Sequence, residues 1–438
     1  MNSIATQTRI EPSRLEGIAT GRAIATALAS VLLAGLLIGF KPLNPGTGPA
    51  AGEGGDIVNQ LGYGSLGALA LLALLLFADP RRLAALASFW WALLLGFFVL
   101  SILRATDPGS AARSASFSFI IILGIAAAFS LPRDMDSFST VLKTSAILVL
   151  GLSYMGLVVF PTAAIHGSGG FEAQHAGFWR GIYPHKNVAG PVMACLAFCG
   201  LYLYRRGERR IGIAIFVAAM LFVLNTGSKT TAGLVPAAML LVILPNLIGM
   251  RRLVPLLYLT FVIAFGLGTL GIVYIGVLKD FAATHFPDLT YTGRTTLWEF
   301  GGEMILQRPW TGYGYVSFWG TDFLTTQDQP FDRAWDIRGI VHGHDGYMDI
   351  AIQMGIPAML VSVMTFIIAP VRDYMRVPPR RENVFLADFL MMVVLFTTLN
   401  AFLETFFFHR TDPVWVMLVL GTLGMRIPSR IALHSRTR

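Results

Sequence analysis

The sequence predicts an all-α polytopic membrane protein with about twelve transmembrane helices and one large loop between them. Apolar residues make up 55% of the 438 residues and charged residues only 13%, whereas soluble proteins carry about 25% charged residues. The apolar residues fall in segments close to the roughly 20 residues that cross a bilayer. Glycine and phenylalanine, common in membrane helices, occur 45 and 31 times. The net charge of +8 therefore informs on membrane topology and does not indicate nucleic-acid binding.

The candidate spans are long apolar segments separated by short polar turns. They lie at 18–40, 61–78, 83–103, 115–131, 140–160, 188–204, 211–225, 231–248, 253–278, 347–370, 384–404 and 412–427. The seventh and the twelfth are short for a full crossing. The first is followed by Lys41-Pro42 and not by a small-residue cleavage site, so we expect a retained helix.

Lysine and arginine in the loops predict which side each loop faces. With the N-terminus in the cytoplasm, the inner segments hold 21 of the 33 basic residues. Short inner turns such as YRRGERR at 204–210 contrast with outer turns such as NTGSKTT at 225–231, which has one basic residue. Both termini are therefore expected in the cytoplasm, in agreement with an even number of spans.

One loop, residues 279–345, is long enough to fold as a unit. It divides the chain into 1–278 with nine spans, the loop itself, and 346–438 with three spans and the tail. Loops longer than about 12–15 residues are usually functional. The loop has five basic residues and nine acidic ones. The acidic residues are Asp280, Asp288, Glu299, Glu303, Asp322, Asp328, Asp332, Asp336 and Asp345.

Within this loop, the segment RTTLWEFGGEMILQRP at 294–309 is predicted to form an amphipathic helix. Its large apolar residues recur at the spacing of one helix face. We expect that face to lie on the membrane surface or on top of the helix bundle. The residues are Leu297, Phe300, Met304 and Ile305. The following sequence GYGY at 312–315 predicts a turn and not a nucleotide-binding loop.

The polar run VHGHDGYMDIAIQMGIP at 341–357 is where we expect chemistry. It holds His342, His344 and Asp345 just before an apolar segment. Histidine accepts a proton near neutral pH, as a general base for a hydroxyl nucleophile must. Asp345 is a candidate for orienting a histidine ring. Two other interpretations stay open: the histidines bind a metal ion together with Asp349, or they form a polar loop end at the membrane interface.

Several cations are predicted on the same outer side, in four separate segments. A cation near hydrocarbon is costly and is usually functional or interfacial. Arginine binds phosphate through two hydrogen bonds and lysine as a point charge, so these side chains could converge on a diphosphate. Taken singly, each is also explained by contact with lipid headgroups. The candidates are Arg180, His185, Lys186, Lys229, Arg294 and Arg410.

These motifs resemble those of the O-antigen ligase and polysaccharide polymerase superfamily, and most closely the exopolysaccharide polymerases of the Wzy type. The outer-loop signature of that family is a histidine, then Asn, Ser or Gln, then nine residues and a glycine. Here His344 is followed by Asp345, nine residues and Gly355. The spacing matches the signature, and aspartate replaces its second residue.

Two further stretches carry the resemblance. RGIYPHKN matches a family stretch with an arginine that ends in Pro-x-Asn, which gives Arg180 and Asn187. GSKTTAG at 227–233 lies where the family has Ser-Arg followed by small residues, so Lys229 replaces an arginine. TGRTTLW, which contains Arg294, and the later PWTGYGYVSF match the family's loop entry in spacing and type.

The resemblance implies a GT-C-like, metal-independent, inverting glycosyltransferase of the bacterial inner membrane, without a cofactor and with a periplasmic active site. The donor would be a glycan on undecaprenyl diphosphate. The acceptor would be another lipid-linked glycan for a polymerase, or lipid A-core for a ligase. His344 would act as general base, and the diphosphate would bind Arg180, Lys229 and Arg294. The secondary candidates are His342, Asp345, His185, Lys186 and Arg410.

Other function classes also fit a polytopic membrane protein. A transporter or a flippase for lipid-linked sugars often has two related halves with charges near the membrane centre. Here the charges lie in loops, and the first half of the chain has no counterpart to loop 279–345, which favours an enzyme. A non-catalytic assembly scaffold remains a third class. Expected partners are membrane lipids and a chain-length regulator of polysaccharide export.

Overall fold

A computed structural model describes residues 12–44, 56–169, 173–285, 291, 293–326 and 336–435, with side chains omitted for 12–18. Three acidic residues of the predicted loop, Asp288, Asp328 and Asp332, lie outside the described residues. Several basic residues of the two predicted tails also lie outside them.

The described residues are helical almost throughout. The main helices are α1 (Pro12–Ile38), α2 (Ile57–Phe77), α3 (Pro80–Leu86), α4 (Phe89–Leu103), α5 (Pro108–Ser130), α6 (Met135–Val159), α7 (Lys186–Arg206), α8 (Arg209–Asn225), α9 (Lys229–Leu247), α10 (Leu253–Tyr274), α11 (Gly276–His285), α12 (Arg294–Gln307), α13 (Gly346–Met354), α14 (Ile356–Met375), α15 (Arg381–Asn400), α16 (Pro413–Gly424) and α17 (Arg426–Arg430). Short helical turns lie at Pro161–Ala164, Ala173–His175, Asp322–Thr325 and Ile337–Gly339, and π-helical turns at Leu267–Gly271 and Met364–Ile368.

The prediction of an all-α polytopic membrane protein is confirmed. In the described part of the chain, nine helices are long and apolar enough to cross a membrane. The pair α3 and α4, bent by 66°, is a tenth candidate. Helices also cover the two short predicted segments, but α8 and α16 have only 17 and 12 residues. The count of twelve spans therefore stays a prediction.

The bend in the third predicted span has a local polar cause. Ser88 is extended, and its hydroxyl accepts the backbone N–H of Trp91, which starts α4. Arg426, from the other end of the chain, donates to the carbonyl oxygens of Ala85 and Ala87 where α3 ends. A distant arginine thus satisfies the backbone groups that the break exposes.

The core of the bundle is formed by three helices near its centre, α7, α15 and α16, whose residues are mostly buried. Glycines bring α7 and its neighbour α8 into backbone contact. A Cβ atom on Gly200 would lie 2.6 Å from the Phe216 nitrogen, and one on Gly212 would lie 2.5 Å from the Tyr204 nitrogen. Small residues at a helix crossing permit this approach in membrane proteins.

The polar residues at the two ends of α7 have different partners. At its C-terminal end, Arg205 contacts Asp388 at 2.8 Å, and Arg206 contacts Glu382 at 2.7 Å and Asp136 at 2.9 Å. At its N-terminal end lies Asn187. Because a helix of 21 residues is about 30 Å long, the two ends lie on opposite sides of the bundle.

The amphipathic helix predicted in the loop is confirmed as α12. Of the two positions expected for its apolar face, the structure shows the top of the bundle. The face packs into a second apolar cluster formed by the loop and α13, because the loop's own aromatic residues cover it. The buried members include Leu297, Trp298, Phe300, Met304, Tyr313, Phe318, Met348 and Ile352.

The predicted GYGY turn is also confirmed, and it attaches the loop to the bundle. The backbone N–H of Tyr313 donates to Ile352 at 2.8 Å, and that of Gly314 donates to Gln353 at 3.0 Å. Tyr315 donates to Ser101 of α4 at 3.1 Å. The turn therefore fixes the loop above the C-terminal end of α13.

Candidate active site

The spacing between His344 and Gly355 corresponds to one short helix. α13 fills the nine residues between Asp345 and Gly355. Asp345 starts this helix, and Gly355, at φ +89°, ends it against the backbone of Trp310. A side chain at Gly355 would meet that backbone at 2.5 Å, so glycine is required there.

Asp345 is a helix cap in this structure. Its carboxylate accepts the backbone N–H of Met348 at 2.9 Å and is fully buried. Burial, followed by the nearby charge of Asp349, raises the pKa of the Asp345 carboxyl well above its ordinary value. The structure thus places Asp345 at the start of α13, at the end of the segment 341–345 that contains His342 and His344 and is called the histidine segment below.

His344 itself has an unusual backbone conformation. Its φ is +53°, in the left-handed region, which costs an ordinary residue roughly 1–2 kcal/mol. Such strain persists only where the surroundings fix the backbone. The ring of His342 lies beside that of His344, with ring centroids 4.2 Å apart. Burial, and then the neighbouring His344 ring, lowers the pKa of His342 to about 3, so His342 is neutral at physiological pH.

Hydrogen bonds to the carboxylate of Asp349 fix the position of the histidine segment. Its buried carboxylate accepts Trp319 Nε1 and Thr405 Oγ1, each at 2.6 Å, and the backbone N–H of Gly343 at 3.1 Å. Three separate segments therefore meet on one carboxylate. These are the part of the large loop around Trp319, the histidine segment at the end of that loop, and the connection between α15 and α16.

Replacing Asp349 by alanine is expected to destabilise the fold around the site. The indole N–H of Trp319 and the backbone N–H of Gly343 would lose a buried acceptor, at about 1–3 kcal/mol each. In detergent, the midpoint of thermal unfolding should fall by about 5 °C or more. Asp280→Asn, an exposed carboxylate in α11, is the control. Equal midpoints for the two variants would contradict this role of Asp349.

Glu404 connects His344 with the cation of the loop helix. Its Oε1 accepts Arg294 NH2 at 2.9 Å and Asn187 Nδ2 at 3.0 Å. Its Oε2 lies 3.5 Å from Nδ1 of His344. The side chains of these three charged or ionisable residues are only 17 to 22% exposed. One carboxylate thus joins α7, α12 and the histidine segment.

Arg294 is fixed by two acceptors on the same connection. Besides Glu404, its guanidinium donates through NH1 to the carbonyl oxygen of Leu403 at 2.5 Å. Burial alone raises the pKa of the Glu404 carboxyl, but the His344 ring, Arg294 and His342 together lower it to about 2. Glu404 is therefore ionised throughout the physiological range.

A second group of histidines lies next to this site, in the connection between α6 and α7. The ring centroids of His166, His175 and His185 are 5.0 to 5.7 Å apart. Asn187 and Lys186 donate their backbone N–H groups to His185 Nδ1 and His166 Nε2. The proton of each neutral ring therefore lies on its other nitrogen. Burial, and then His175, lowers the pKa of His185 to about 4.

These hydrogen bonds oppose the binding of a metal ion by His166 and His185, because the lone pair of each neutral ring already accepts a backbone N–H. In the ranges that the structure describes, no group of three or more His, Cys, Asp or Glu side chains is arranged to hold a metal ion. Asp349, the third group considered for a site with His342 and His344, is instead occupied by the three donors described above.

The other predicted cations occupy different positions. Arg180 is buried and donates to the backbone carbonyl oxygens of Thr162, Ala163 and Pro184, within its own loop. Lys186 places its ammonium 4.3 Å from the centre of the Phe178 ring.

Lys229 and Arg410 are exposed. Lys229 is the first residue of α9. Gly227, just before it, packs tightly against the Phe178 ring, which Lys186 also contacts. Of the predicted cations, the structure therefore brings Arg294 into contact with the network around His344.

Glu404 is the residue of this network that the sequence did not single out. It is separated from Asn187 by 217 positions and from Arg294 by 110. One signal was present in the sequence: ETFFFHRTDP interrupts an apolar run with a carboxylate. From that stretch, Arg410 was the residue predicted to take part in the site.

Comparison with known proteins relates one segment of the chain to a protein family. Residues 212–363 match the family model of the O-antigen ligase. The resemblance to O-antigen ligases and Wzy-type polymerases is confirmed. The matched O-antigen ligase segment runs from α8 into α14 and contains Lys229, Arg294, His342 and His344. Asn187 and Glu404 lie outside it.

A curated relative points the same way. The chain is 24% identical over 160 residues to the exopolysaccharide production protein ExoQ of Rhizobium meliloti (strain 1021). That alignment covers 34% of this chain and 35% of the relative. The chain is thus similar to an exopolysaccharide production protein over about a third of either length.

Proposed function

We propose that the protein is a membrane glycosyltransferase that joins glycans carried on undecaprenyl diphosphate at the periplasmic face of the bacterial inner membrane. The observation that carries the proposal is the contact of His344 and Arg294 with one ionised carboxylate, Glu404, at one end of the bundle. A candidate base and a candidate phosphate-binding cation thus lie side by side in a partly enclosed position.

The distribution of charge supports a periplasmic position for the site. The arginines at the C-terminal end of α7 belong to the short basic turns that mark cytoplasmic loops. Asn187, at the other end of α7, hydrogen-bonds with Glu404. The length of α7 supports a site on the far side of the membrane, and we propose that both termini are on the cytoplasmic side. A GT-C-like arrangement is part of the proposal.

In the proposed reaction, Nε2 of His344 removes the proton from an acceptor hydroxyl as the oxygen attacks the anomeric carbon of the donor. The new glycosidic bond forms while the bond from that carbon to the diphosphate oxygen breaks. The proton remains on His344, and the lipid diphosphate leaves as an anion. Because attack and departure occur on opposite faces of the carbon, the configuration is inverted.

Arg294 would bind the departing diphosphate, with Lys229 and Arg180 as further candidates from neighbouring connections. Before reaction, the charges of Arg294 and Glu404 cancel. Once His344 holds the proton, Arg294, Glu404 and His344 together carry one positive charge. This charge appears as negative charge develops on the leaving oxygen. Such fixed charge is effective because it needs no reorganisation during the reaction.

Chelation should not inhibit the proposed reaction. The purified protein, incubated with EDTA and then assayed with lipid-linked glycan, should keep its full rate, because side-chain cations neutralise the diphosphate. A matched sample with EDTA and excess Mg²⁺ is the control. Loss of activity that Mg²⁺ restores would show that a divalent ion takes part.

The proposal has two forms, which differ in the acceptor. Similarity to an exopolysaccharide production protein supports the polymerase form, and the match to the O-antigen ligase family supports the ligase form. Purified protein incubated with lipid-linked repeat units alone separates them. Lengthened glycans show a polymerase, whereas reaction only after addition of lipid A-core shows a ligase. Absence of any transfer, with movement of the intact lipid-linked sugar across a vesicle membrane, would show a flippase and contradict both.

A further inference from the structure

We infer that Glu404 is a positioning residue that couples the base to the phosphate-binding cation, an inference that rests on the proposed function. Its two carboxylate oxygens have different partners. Oε1 serves Arg294 and Asn187, and Oε2 faces Nδ1 of His344.

The contact with His344 selects the form of the ring. A carboxylate facing Nδ1 favours the neutral tautomer with the proton on that nitrogen, which leaves the lone pair of Nε2 directed to the acceptor. The distance of 3.5 Å is longer than an ordinary hydrogen bond. Catalytic hydrogen bonds are often long without substrate and shorten in the complex.

The same carboxylate stabilises the product of proton transfer. When His344 becomes an imidazolium, Glu404 lies next to the new charge. This stabilisation appears only as the reaction proceeds, so it lowers the barrier and does not simply tighten binding. Glu404 also fixes Arg294, so that the guanidinium and the base keep a constant separation.

The position of Glu404 is determined by its neighbours along the chain. The carbonyl oxygen of Leu403 accepts Arg294, and the hydroxyl of Thr405 donates to Asp349. The backbone N–H of Glu404 donates to Asn400 at the end of α15 at 3.0 Å. Each residue that flanks Glu404 is thus tied to a different part of the site.

The test compares Glu404→Gln with Glu299→Gln. Glutamine keeps an oxygen for Arg294 and Asn187 but removes the charge that faces His344. We expect kcat to fall by about 10²-fold or more. We also expect the acidic limb of the pH profile of kcat/KM to move to lower pH, because the imidazolium loses a neighbouring anion. Glu404→Asp should recover part of the rate and of the profile. Glu299, exposed on α12 and paired with Lys279, provides a matched control.

A second measurement separates this inference from the proposed function. Modification of His344 by diethyl pyrocarbonate, followed by mass spectrometry across a pH series, reports the protonation of the ring without turnover. Its midpoint should move to lower pH in Glu404→Gln and stay unchanged in Glu299→Gln. An unchanged midpoint and an unchanged profile would overturn the inference. A moved midpoint in a protein that transfers no glycan would overturn the proposed function alone.

Discussion

Replacing His344 by alanine is expected to abolish glycan transfer while the protein still inserts in the membrane. General-base catalysis contributes about 10²–10⁴-fold to the rate. The variant should therefore form glycosidic bonds at least about 10³-fold more slowly than the wild type. The measurement is the rate of glycan lengthening or transfer by purified protein, with the amount of folded protein determined by size-exclusion chromatography in detergent.

His342→Ala is the matched control for this prediction, because the two rings touch. His342 is held neutral by burial, and it is Nδ1 of His344 that lies 3.5 Å from the Glu404 carboxylate. We therefore expect a loss of less than about tenfold. Equal losses in both variants would mean that the histidines act as a unit, and a normal rate in His344→Ala would end the assignment of the base.

Loss of Arg294 is expected to have the second largest effect. Removing one preorganised donor to a developing anion costs about 10²–10³-fold in kcat. Arg294→Ala should show this loss and should also weaken binding of the donor lipid, because the charge of Glu404 would be left uncompensated beside the diphosphate. Arg294→Lys keeps the charge but replaces the planar fork, which donates through NH1 to Leu403 and through NH2 to Glu404, by a single nitrogen.

We therefore expect the lysine variant to have intermediate activity. Arg338→Ala is the control for these variants, since Arg338 belongs to the same loop but is half exposed and pairs with Asp336. The measurements are kcat, and KM for the lipid-linked donor. If Arg294→Ala equals Arg338→Ala in both quantities, Arg294 has no part in binding the leaving group.

Much of the fold could be predicted because a membrane helix is encoded locally. Twenty apolar residues bounded by polar ones specify a span. Asp79 and Asp107 start their helices as short polar side chains do in other proteins, by accepting backbone N–H groups. The span predicted at 347–370 is different in the structure, because Gly355 ends α13 and the candidate span is the next helix, Ile356–Met375.

Features that depend on distant contacts could not be predicted in the same way. The apolar face of α12 was visible in the periodicity, but periodicity does not say whether lipid or protein covers it. The acceptors of Arg180 are backbone carbonyl oxygens, which are present at every residue and carry no sequence signal. Glu404 contacts Arg294 and Asn187 only because the bundle brings three distant segments together.

The most direct test of the central claim is the stoichiometry of a single turnover. Purified protein in excess is mixed with a lipid-linked glycan and acceptor, and mass spectrometry counts glycosidic bonds formed and undecaprenyl diphosphate released. We predict one diphosphate lipid released per bond by the wild type, and neither product by His344→Ala that still binds the donor. Bond formation by that variant, or transfer without release of the diphosphate lipid, would contradict the claim.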